Sequence, residues 1–272
     1  MRRGGGPTCA TIIRGLRTIL DRKRVDDRAA RIHTASQVDF RPKARLSLKN
    51  RRFDHWTPQY LRYRLQAAVR AMVHPEEPSL TPQAIRQLED LLRPDSIGIE
   101  WGSGNTTRFF ARRTRHLVSY ETDPSYYAQI EGALRREGLT NVDYRLVPHD
   151  FEGEHDEDVM HRSPLVRAVD FFGEGSLDYA LIDSAPRGCL AHGILPKIKA
   201  GGLLILDNAN WFLPPPGDVR PSAPGSVQVM FGTPGSSFPT HRCWPAFARA
   251  TATWDARWSS NGIQMTLILI KP

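Results

Sequence analysis

Apolar residues occur in short runs that alternate with amphipathic segments between residues 97 and 207. The runs have the length of strands, and the segments between them repeat their apolar residues at helical spacing. The predicted strands are 97–101, 117–121, 142–148, 177–183 and 202–207, and the predicted helices are 105–115, 124–138, 159–171 and 187–199. This alternation predicts a Rossmann-like, doubly wound, mostly parallel α/β sheet with helices on both faces. In such a sheet, ligands bind at the carboxyl ends of the strands.

Two helices are predicted before the first strand. Thr57-Pro58 and Thr81-Pro82 each offer a threonine that can cap a helix N-terminus and a proline at the first helical position. Each helix has one apolar face, formed by Leu61, Leu65, Val69 and Met72 in the first and by Ile85, Leu88, Leu91 and Leu92 in the second. These patterns predict a helical segment over residues 53–95, ahead of a main domain over residues 96–272.

The pattern changes after the fifth predicted strand. Residues 211–245 contain proline- and glycine-rich stretches and are predicted to form a long functional loop. Two apolar-rich strands follow, at 249–258 and 263–270, with Asn261-Gly262 between them as a hairpin signal. We therefore expect an antiparallel pair at the C-terminal end of the sheet.

The charge is concentrated at the N-terminus. Residues 1–52 carry 15 Lys/Arg and 4 Asp/Glu, whereas the whole chain has a net charge of +8. The remainder is therefore close to neutral, which argues against a nucleic-acid-binding face on the main domain. The basic arm is expected to be a solvated or partly disordered extension, or to contact an anionic membrane or an acidic partner.

Cysteine usage and hydropathy indicate the compartment. Cys9, Cys189 and Cys243 lie far apart, without the spacing of a metal motif or a disulfide framework. The only apolar stretch near the N-terminus is interrupted by Arg14 and Arg17, and no run has the length of a membrane span. These features predict a cytoplasmic protein, associated with a membrane only if the arm binds one.

A glycine turn and an acidic residue mark the first two strand ends. Gly102 and Gly104 follow the first predicted strand, and a helix begins immediately after them. Glycines at this point let a ligand approach the backbone, and the helix N-terminus favours a polar or anionic group. Glu121 ends the second strand, where a carboxylate can accept hydrogen bonds from ribose hydroxyls. The spacing predicts a nucleotide-like cofactor, although Thr107 replaces the third glycine of the dinucleotide fingerprint.

These motifs resemble those of class I S-adenosylmethionine-dependent methyltransferases. The resemblance covers residues 81–208 and rests on Glu100-x-Gly102-x-Gly104, Glu121-x-Asp123-Pro124, the strand ending at Asp183, and the run from Gly201 to Asn208. It implies that the cofactor is S-adenosylmethionine. It also implies that the helices over residues 53–95 form a cap over the cofactor and help to form the acceptor site. The residues that it assigns to the cofactor site are Glu100, Gly102, Ser103, Gly104, Asn105, Thr106, Glu121, Asp150 and Asp183.

Three oxygen-bearing side chains are expected at the ends of the fourth and fifth strands. Asp183, Asp207 and Asn208 offer hard ligands suited to Mg²⁺. The set is similar to the metal ligands of catechol O-methyltransferase-like enzymes, which implies methyl transfer to a hydroxyl of a small molecule or saccharide. A metal-free site, in which Asp183 contacts cofactor or substrate, is the alternative.

The resemblance fails at one catalytic position. The catechol enzymes have a lysine base three residues after the first metal aspartate, but Pro186 stands here and Arg187 follows. Arginine is a poor base because it stays protonated. The general base is therefore expected to be His192, His241 or His55, and Asp183 is expected to be catalytic as well. A metal-independent methyltransferase acting on oxygen or nitrogen, or a binding module without catalysis, remain as alternative functions.

Overall fold

The computed structural model describes residues 57–147, 157–213, 215–216 and 243–272. The basic arm therefore lies outside the described residues, as do Asp150, His55 and His241. None of the helices within the described ranges combines the length and the apolar composition needed to cross a bilayer.

The described part of the chain forms a single seven-stranded sheet with helices on both faces. The strand order is β3-β2-β1-β4-β5-β7-β6, in which β1 to β5 run parallel and β7 runs antiparallel to both of its neighbours. The strands are β1 Ile97–Trp101, β2 His116–Glu121, β3 Val142–Leu146, β4 Leu177–Ile182, β5 Ile198–Leu206, β6 Asp255–Ser260 and β7 Met265–Ile270. The order reverses between β1 and β4, which creates a crevice at their carboxyl ends. The predicted fold class is confirmed.

Eight α-helices surround this sheet in the described ranges. They are α1 Pro58–Val73, α2 Pro82–Leu91, α3 Asn105–Ala111, α4 Pro124–Arg136, α5 Glu157–Arg162, α6 Pro164–Arg167, α7 Arg187–Ile194 and α8 Cys243–Ala250. Three 3₁₀ turns, Ala168–Phe171, Leu195–Lys197 and Ala209–Trp211, extend or follow them. The predicted helix 159–171 is thus broken into α5, α6 and a 3₁₀ turn, because Ser163 caps a new helix at Pro164.

Two apolar clusters lie on opposite faces of the sheet. One joins α2 and α3 to the sheet through residues such as Leu88, Phe110 and Ile205. The other joins α6, α7 and α8 to the opposite face through residues such as Leu165 and Phe247. Each cluster shields one face of the central strands from water. Polar ligands can therefore reach the sheet at the carboxyl ends of its parallel strands.

The two predicted threonine caps are present. Thr57 Oγ1 accepts from the Tyr60 amide at 3.1 Å, and Thr81 Oγ1 accepts from the Ala84 amide at 3.4 Å. The apolar stripe of α1 nevertheless faces outward, since the Leu65 and Met72 side chains are 66% and 77% exposed. Helix α1 therefore joins the fold through Tyr60, which is buried, and not through its predicted apolar face.

The C-terminal hairpin is present, but its first strand begins later than predicted. Residues 249–254, predicted to be strand, form the end of α8 and the turn that follows it, and β6 starts at Asp255. The boundary prediction was wrong because the apolar residues before Asp255, including Phe247, follow the helical spacing that packs α8 on α7. The closing antiparallel pair keeps the last three strands in the same sheet.

Candidate active site

The glycine turn after β1 lies directly against the end of β4. Gly102 has φ +91°, and a Cβ at this position would lie 2.7 Å from the Asp183 carbonyl oxygen. The Gly102 amide donates to the Tyr120 carbonyl at 3.0 Å, and the Asp183 amide donates to the Trp101 carbonyl at 2.9 Å. A side chain at residue 102 would therefore separate the turn from β4. The structure brings Gly102 and Asp183 together, as the sequence predicted.

Glu100, on β1, is connected to this turn through the side chain of Thr107. Its side chain is completely buried and accepts from Ser119 Oγ at 2.7 Å and from the Thr107 hydroxyl. Thr107 Oγ1 in turn accepts from the Gly104 amide at 2.9 Å. Burial raises the pKa of Glu100 to about 7, against hydrogen bonds that lower it. In this arrangement Glu100 fixes the turn through Thr107, and its predicted contact with a cofactor stays a prediction.

The carboxylate of Glu121 ends β2 and binds the same turn. Its Oε2 accepts from the Ser103 amide at 3.2 Å and from Ser103 Oγ at 2.5 Å. Its Oε1 accepts from the amides of Thr122 at 2.7 Å and Asp123 at 3.0 Å. The side chain is 7% exposed. Glu121 is therefore oriented by four donors, one of which is a side-chain hydroxyl that can rotate away.

Two tyrosines complete this part of the site and were missed by the sequence interpretation. Tyr144 on β3 lies 2.7 Å from Ser103 Oγ through its hydroxyl. The Tyr126 hydroxyl covers Gly104, where an added Cβ would lie 3.1 Å from it. Burial raises the pKa of Tyr126, and the charges of Glu121, Asp183 and Glu100 raise it further. The only sequence signal for Tyr126 is its place in the first turn of α4, directly after the Glu121 motif.

Ser103, Asn105 and Thr106 differ in their orientation. Ser103 faces Glu121, whereas Asn105 Nδ2 donates outward to the carbonyls of Pro75 at 2.9 Å and Glu77 at 3.0 Å. Thr106 is buried. Asn105 therefore fastens the segment between the two cap helices to the start of α3, and a contact between its side chain and a cofactor would break these bonds.

Asp183 forms an ion pair with Arg187, the first residue of α7, which follows it by four positions. The Arg187 guanidinium donates to Asp183 Oδ1, and its Nη1 lies 3.4 Å from Asn208 Oδ1. Burial raises the pKa of Asp183, and the charge of Arg187 opposes this rise. Asn208 has φ +50°, a left-handed conformation that asparagine tolerates better than most residues. A guanidinium thus joins the ends of β4 and β5.

Asp207 is more deeply buried than Asp183. The residue is 3% exposed, and its Oδ1 accepts from Thr266 Oγ1 at 3.3 Å. Burial, followed by the charge of Asp183, raises the pKa of Asp207 to about 8. Asp183 bonds the Arg187 guanidinium, which also lies close to Asn208 Oδ1, so two of the three predicted Mg²⁺ donors already face a cation. As arranged around Arg187, the three residues do not fit a second, doubly charged cation, because the guanidinium would repel it.

The predicted histidine bases are not brought to this edge by the described residues. His192 lies on α7, five residues beyond Arg187, which places it roughly 7 Å further along the helix axis. Helix α7 leads away from the carboxyl ends of the strands towards the start of β5. His241, His55 and Asp150 lie outside the described residues. Among the predicted catalytic residues that the structure describes, Asp183 alone ends a strand of the parallel sheet at the crevice.

A cavity of about 960 Å³ opens at the same edge of the sheet. It lies between the cap helices and the β6–β7 turn, and Asn105 connects its wall to the start of α3. Its lining is mixed, with aromatic rings from Tyr63 and Trp258 and polar groups from Arg70 and Gln264. The cavity is large enough for a drug-sized molecule. Neither His74 in this lining nor Tyr63 was predicted as a site residue.

Solved structures that resemble this one have low sequence identity to it. Neither models of known protein families nor curated proteins match the sequence. An rRNA methylase from Streptococcus thermophilus is 14% identical with a TM-score of 0.41, covering 72% of this chain and 99% of its own. A precorrin-6y C5,15-methyltransferase from Geobacter metallireducens GS-15 is 11% identical with a TM-score of 0.42, covering 72% and 92%. A precorrin 8w decarboxylase from Methanobacterium thermoautotrophicum is 16% identical with a TM-score of 0.41, covering 73% and 95%.

Similarities at these identities and TM-scores carry no argument about activity or substrate. The assignment of the fold rests on the strand order and on the antiparallel β7 described above.

Proposed function

We propose that this protein is an S-adenosylmethionine-dependent methyltransferase that transfers a methyl group to a hydroxyl of a small polar molecule or saccharide. The observation that carries the proposal is the junction of the Gly102 turn with Glu121 and Asp183 at the crevice between β1, β2 and β4. A turn with glycines on both sides of Ser103, next to two acidic groups, lets a polar and positively charged ligand approach the backbone closely.

The acidity of the junction favours a sulfonium cofactor. Glu121 and Asp183 lie near the Tyr126 hydroxyl, which covers Gly104. Carboxylates attract the positive sulfur, and they do so more strongly in a partly buried crevice than in water. Glu121 would accept hydrogen bonds from the ribose of the cofactor. Ser103 Oγ would then give up its bond to Glu121 and keep its bond to the Tyr144 hydroxyl. These residues thus fit S-adenosylmethionine.

Methyl transfer requires mainly alignment, because the sulfonium activates the methyl group before the acceptor arrives. This chain contributes the position of the acceptor and the removal of its proton. Asp183 is the acidic group at the crevice whose side chain is 30% exposed, so it can accept a proton from an acceptor hydroxyl. Arg187 would hold the orientation of Asp183 and bind an oxygen of the acceptor.

The cavity beside the cap helices suits the rest of the acceptor. Tyr63, which is only partly buried, can stack on the face of a sugar, and Gln264 and Asn261 can donate and accept hydrogen bonds. The cavity also borders Ser259, whose hydroxyl contacts Thr81. Mixed polar and aromatic walls favour a saccharide or a polyhydroxylated metabolite over a purely apolar acceptor.

Asp183, Asp207 and Asn208 are the residues that would hold the predicted Mg²⁺. As arranged around Arg187, their donors do not fit the ion, because the guanidinium bonds Asp183 and lies 3.4 Å from Asn208 Oδ1. We therefore propose that Asp183 removes the proton without a metal, with the guanidinium as the neighbouring cation.

Incubation with a fractionated metabolite extract and cofactor labelled in its methyl group tests this function. We expect label in a small polar product, with fragmentation that places the methyl group on oxygen. The Asp183→Asn variant should bind the cofactor and transfer little label. Label on nitrogen would show that the acceptor is an amine and not a hydroxyl. Cofactor binding without transfer of label to any fraction would favour a binding module.

A further inference from the structure

Three metal-ligating side chains converge among the helices that cover one face of the sheet. His161 lies on α5, Cys189 on α7 and Cys243 on α8. They are far apart along the chain: the two cysteines differ by 54 positions, and His161 and Cys243 by 82. A motif search on spacing cannot detect such a group, which is why the sequence predicted none.

The distances within this group agree with those around a single tetrahedral ion. Cys243 Sγ lies 3.4 Å from His161 Nε2 and 4.0 Å from Cys189 Sγ. One ligand atom from each residue can be chosen so that all three lie within 4.8 Å of one another. Bonds of about 2.3 Å to sulfur and about 2.0 Å to nitrogen place tetrahedral ligands about 3.8 Å apart for two sulfurs and about 3.5 Å apart for sulfur and nitrogen. The two separations that involve Cys243 need to change by only a few tenths of an ångström. The distance between His161 and Cys189, which is within 4.8 Å, would shorten by at most about 1.3 Å, a movement that the exposed His161 side chain can make.

The chemistry of the group selects a soft or borderline metal. Two thiols and an imidazole are the ligands that Zn²⁺ prefers in proteins, whereas Mg²⁺ prefers oxygen. Cys189 and Cys243 are 1% and 6% exposed, so their thiolates would be stabilised by a dication in a site that excludes most water. His161 is exposed and provides a path by which the ion can enter.

The surrounding helices explain how the ligands are held. Helix α8 packs on α7, and the contacts between them place Cys243 beside Cys189. Helix α5 leads into α6, whose Leu165 and Val166 belong to the same apolar cluster as both cysteines. The ligands therefore project from three elements that the core already fixes, which lowers the entropy lost when an ion binds.

We propose that His161, Cys189 and Cys243 form a Zn²⁺ site with three protein ligands, the fourth position being open to water or to another ligand of this chain. The ion would tie α5, α7 and α8 together. It is separate from the oxygen ligands discussed above, and the proposal does not depend on the methyltransferase function. Because Cys189 follows Arg187 by two residues on α7, the ion would also fix the start of the helix that presents Arg187.

Competition with a chromophoric zinc chelator measures the affinity directly. Protein stripped of metal under reducing conditions should bind one equivalent of Zn²⁺. The variants Cys189→Ser and Cys243→Ser should each weaken binding by at least 100-fold, and His161→Ala by 10- to 100-fold. His116→Ala is the matched control, since it removes an imidazole on β2 outside the group, and it should bind as tightly as the wild type.

Substitution of Co²⁺ for Zn²⁺ gives a second measurement that needs no variant to fold. The wild-type protein with Co²⁺ should show the thiolate-to-metal charge-transfer absorption and the visible bands of a tetrahedral ion. Absence of these bands, or a cysteine variant that folds and binds Zn²⁺ as tightly as the wild type, would overturn the proposal. Quantitative conversion of the two thiols to a Cys189–Cys243 disulfide in air, with no Zn²⁺ bound by the reduced protein, would overturn it as well.

Discussion

Ser103 Oγ donates to Glu121 Oε2 across 2.5 Å, so the glycine turn and the end of β2 are joined by a bond that a bound ribose would have to replace. The same hydroxyl lies 2.7 Å from the Tyr144 hydroxyl, which offers it a second partner. Ser103 therefore competes with the ligand for the carboxylate in one orientation and leaves it available in the other.

The variant Ser103→Ala tests this competition. Removing the hydroxyl frees one lone pair of Glu121 while the Ser103 backbone amide, at 3.2 Å, still orients the carboxylate. We expect S-adenosylmethionine affinity to stay equal or to rise by a few-fold, measured by calorimetric titration. The control Ser125→Ala removes a hydroxyl that bonds Asp123 outside the junction and should leave affinity unchanged. A loss of more than tenfold in Ser103→Ala would mean that the hydroxyl itself binds the cofactor.

The Gly102→Ala variant tests the close approach between the turn and β4. Its Cβ would lie 2.7 Å from the Asp183 carbonyl oxygen, and the residue would be held at φ +91°. We expect the free energy of unfolding to fall by about 2–4 kcal/mol, with loss of cofactor binding. Gly138→Ala is the matched control, because Gly138 has φ +66° with open space at its Cβ position.

The control should lose only about 1 kcal/mol and keep its cofactor affinity. Equal effects in the two variants, measured by denaturant unfolding, would show that backbone conformation alone sets the cost. The contact with Asp183 would then carry no part of it.

Stability should depend on pH through Glu100 and Asp207. Burial raises their pKa values to about 7 and about 8, from 4.5 and 3.8. Between roughly pH 4.5 and 8 the folded protein therefore binds more protons than the unfolded chain, so the free energy of unfolding should fall as pH rises. Glu100→Gln and Asp207→Asn remove a titrating group each, and both should be less sensitive to pH than the wild type.

The expected gain at pH 8.5, relative to the wild type, is on the order of 1–3 kcal/mol for each variant. Denaturant unfolding at pH 5.5 and pH 8.5 measures it. Glu131→Gln, on the surface of α4, is the control and should follow the wild type. Equal changes in the unfolding free energy of the wild type and of the two variants between these pH values would show that Glu100 and Asp207 do not titrate in this range.

Removal of Arg187 should expose the acidic pair to metal ions. In Arg187→Met the apolar chain is kept while the charge beside Asp183 and Asn208 is lost. We expect Mg²⁺ to raise the melting temperature of this variant and to leave the wild type unchanged. Arg167→Met, which removes an exposed guanidinium from Asp170, controls for loss of charge. A rise for the wild type at millimolar Mg²⁺ would restore the predicted metal site.

The basic arm and helix α1 suggest a surface contact that deletion can test. We propose that residues 1–52 adsorb to anionic lipid headgroups, aided by the exposed Leu65 and Met72 of α1. Deletion of residues 1–52 should reduce binding to vesicles containing phosphatidylserine and leave S-adenosylmethionine affinity unchanged. The loss should be largest at low salt. Loss of cofactor binding in the folded, truncated protein would instead place the arm in the cap.

The fold could be predicted because its signals are local. Strand-length apolar runs, helical spacing and the two threonine-proline caps each depend on neighbouring residues, and the sheet has the predicted class. The error at residues 249–254 has the same origin, since an apolar segment of that length fits either a strand or the end of a buried helix.

The candidate site was predictable only where function is tied to backbone position. Gly102, Glu121 and Asp183 end strands or turn after them, and the parallel sheet brings such positions together. Tyr126, Tyr144 and the group of His161, Cys189 and Cys243 depend on side chains that meet across elements. Their positions follow from packing between helices and strands, which leaves no pattern along the chain.

The central claim is that the junction of Gly102, Glu121 and Asp183 binds S-adenosylmethionine, and calorimetric titration of the wild type and Glu121→Ala tests it most directly. We expect the wild type to bind one equivalent of S-adenosylmethionine. Loss of the charge-assisted hydrogen bonds to the ribose should weaken binding by on the order of 1–3 kcal/mol in the variant. Equal affinities in two folded proteins would remove Glu121 from the site, and no binding by the wild type would contradict the proposed function.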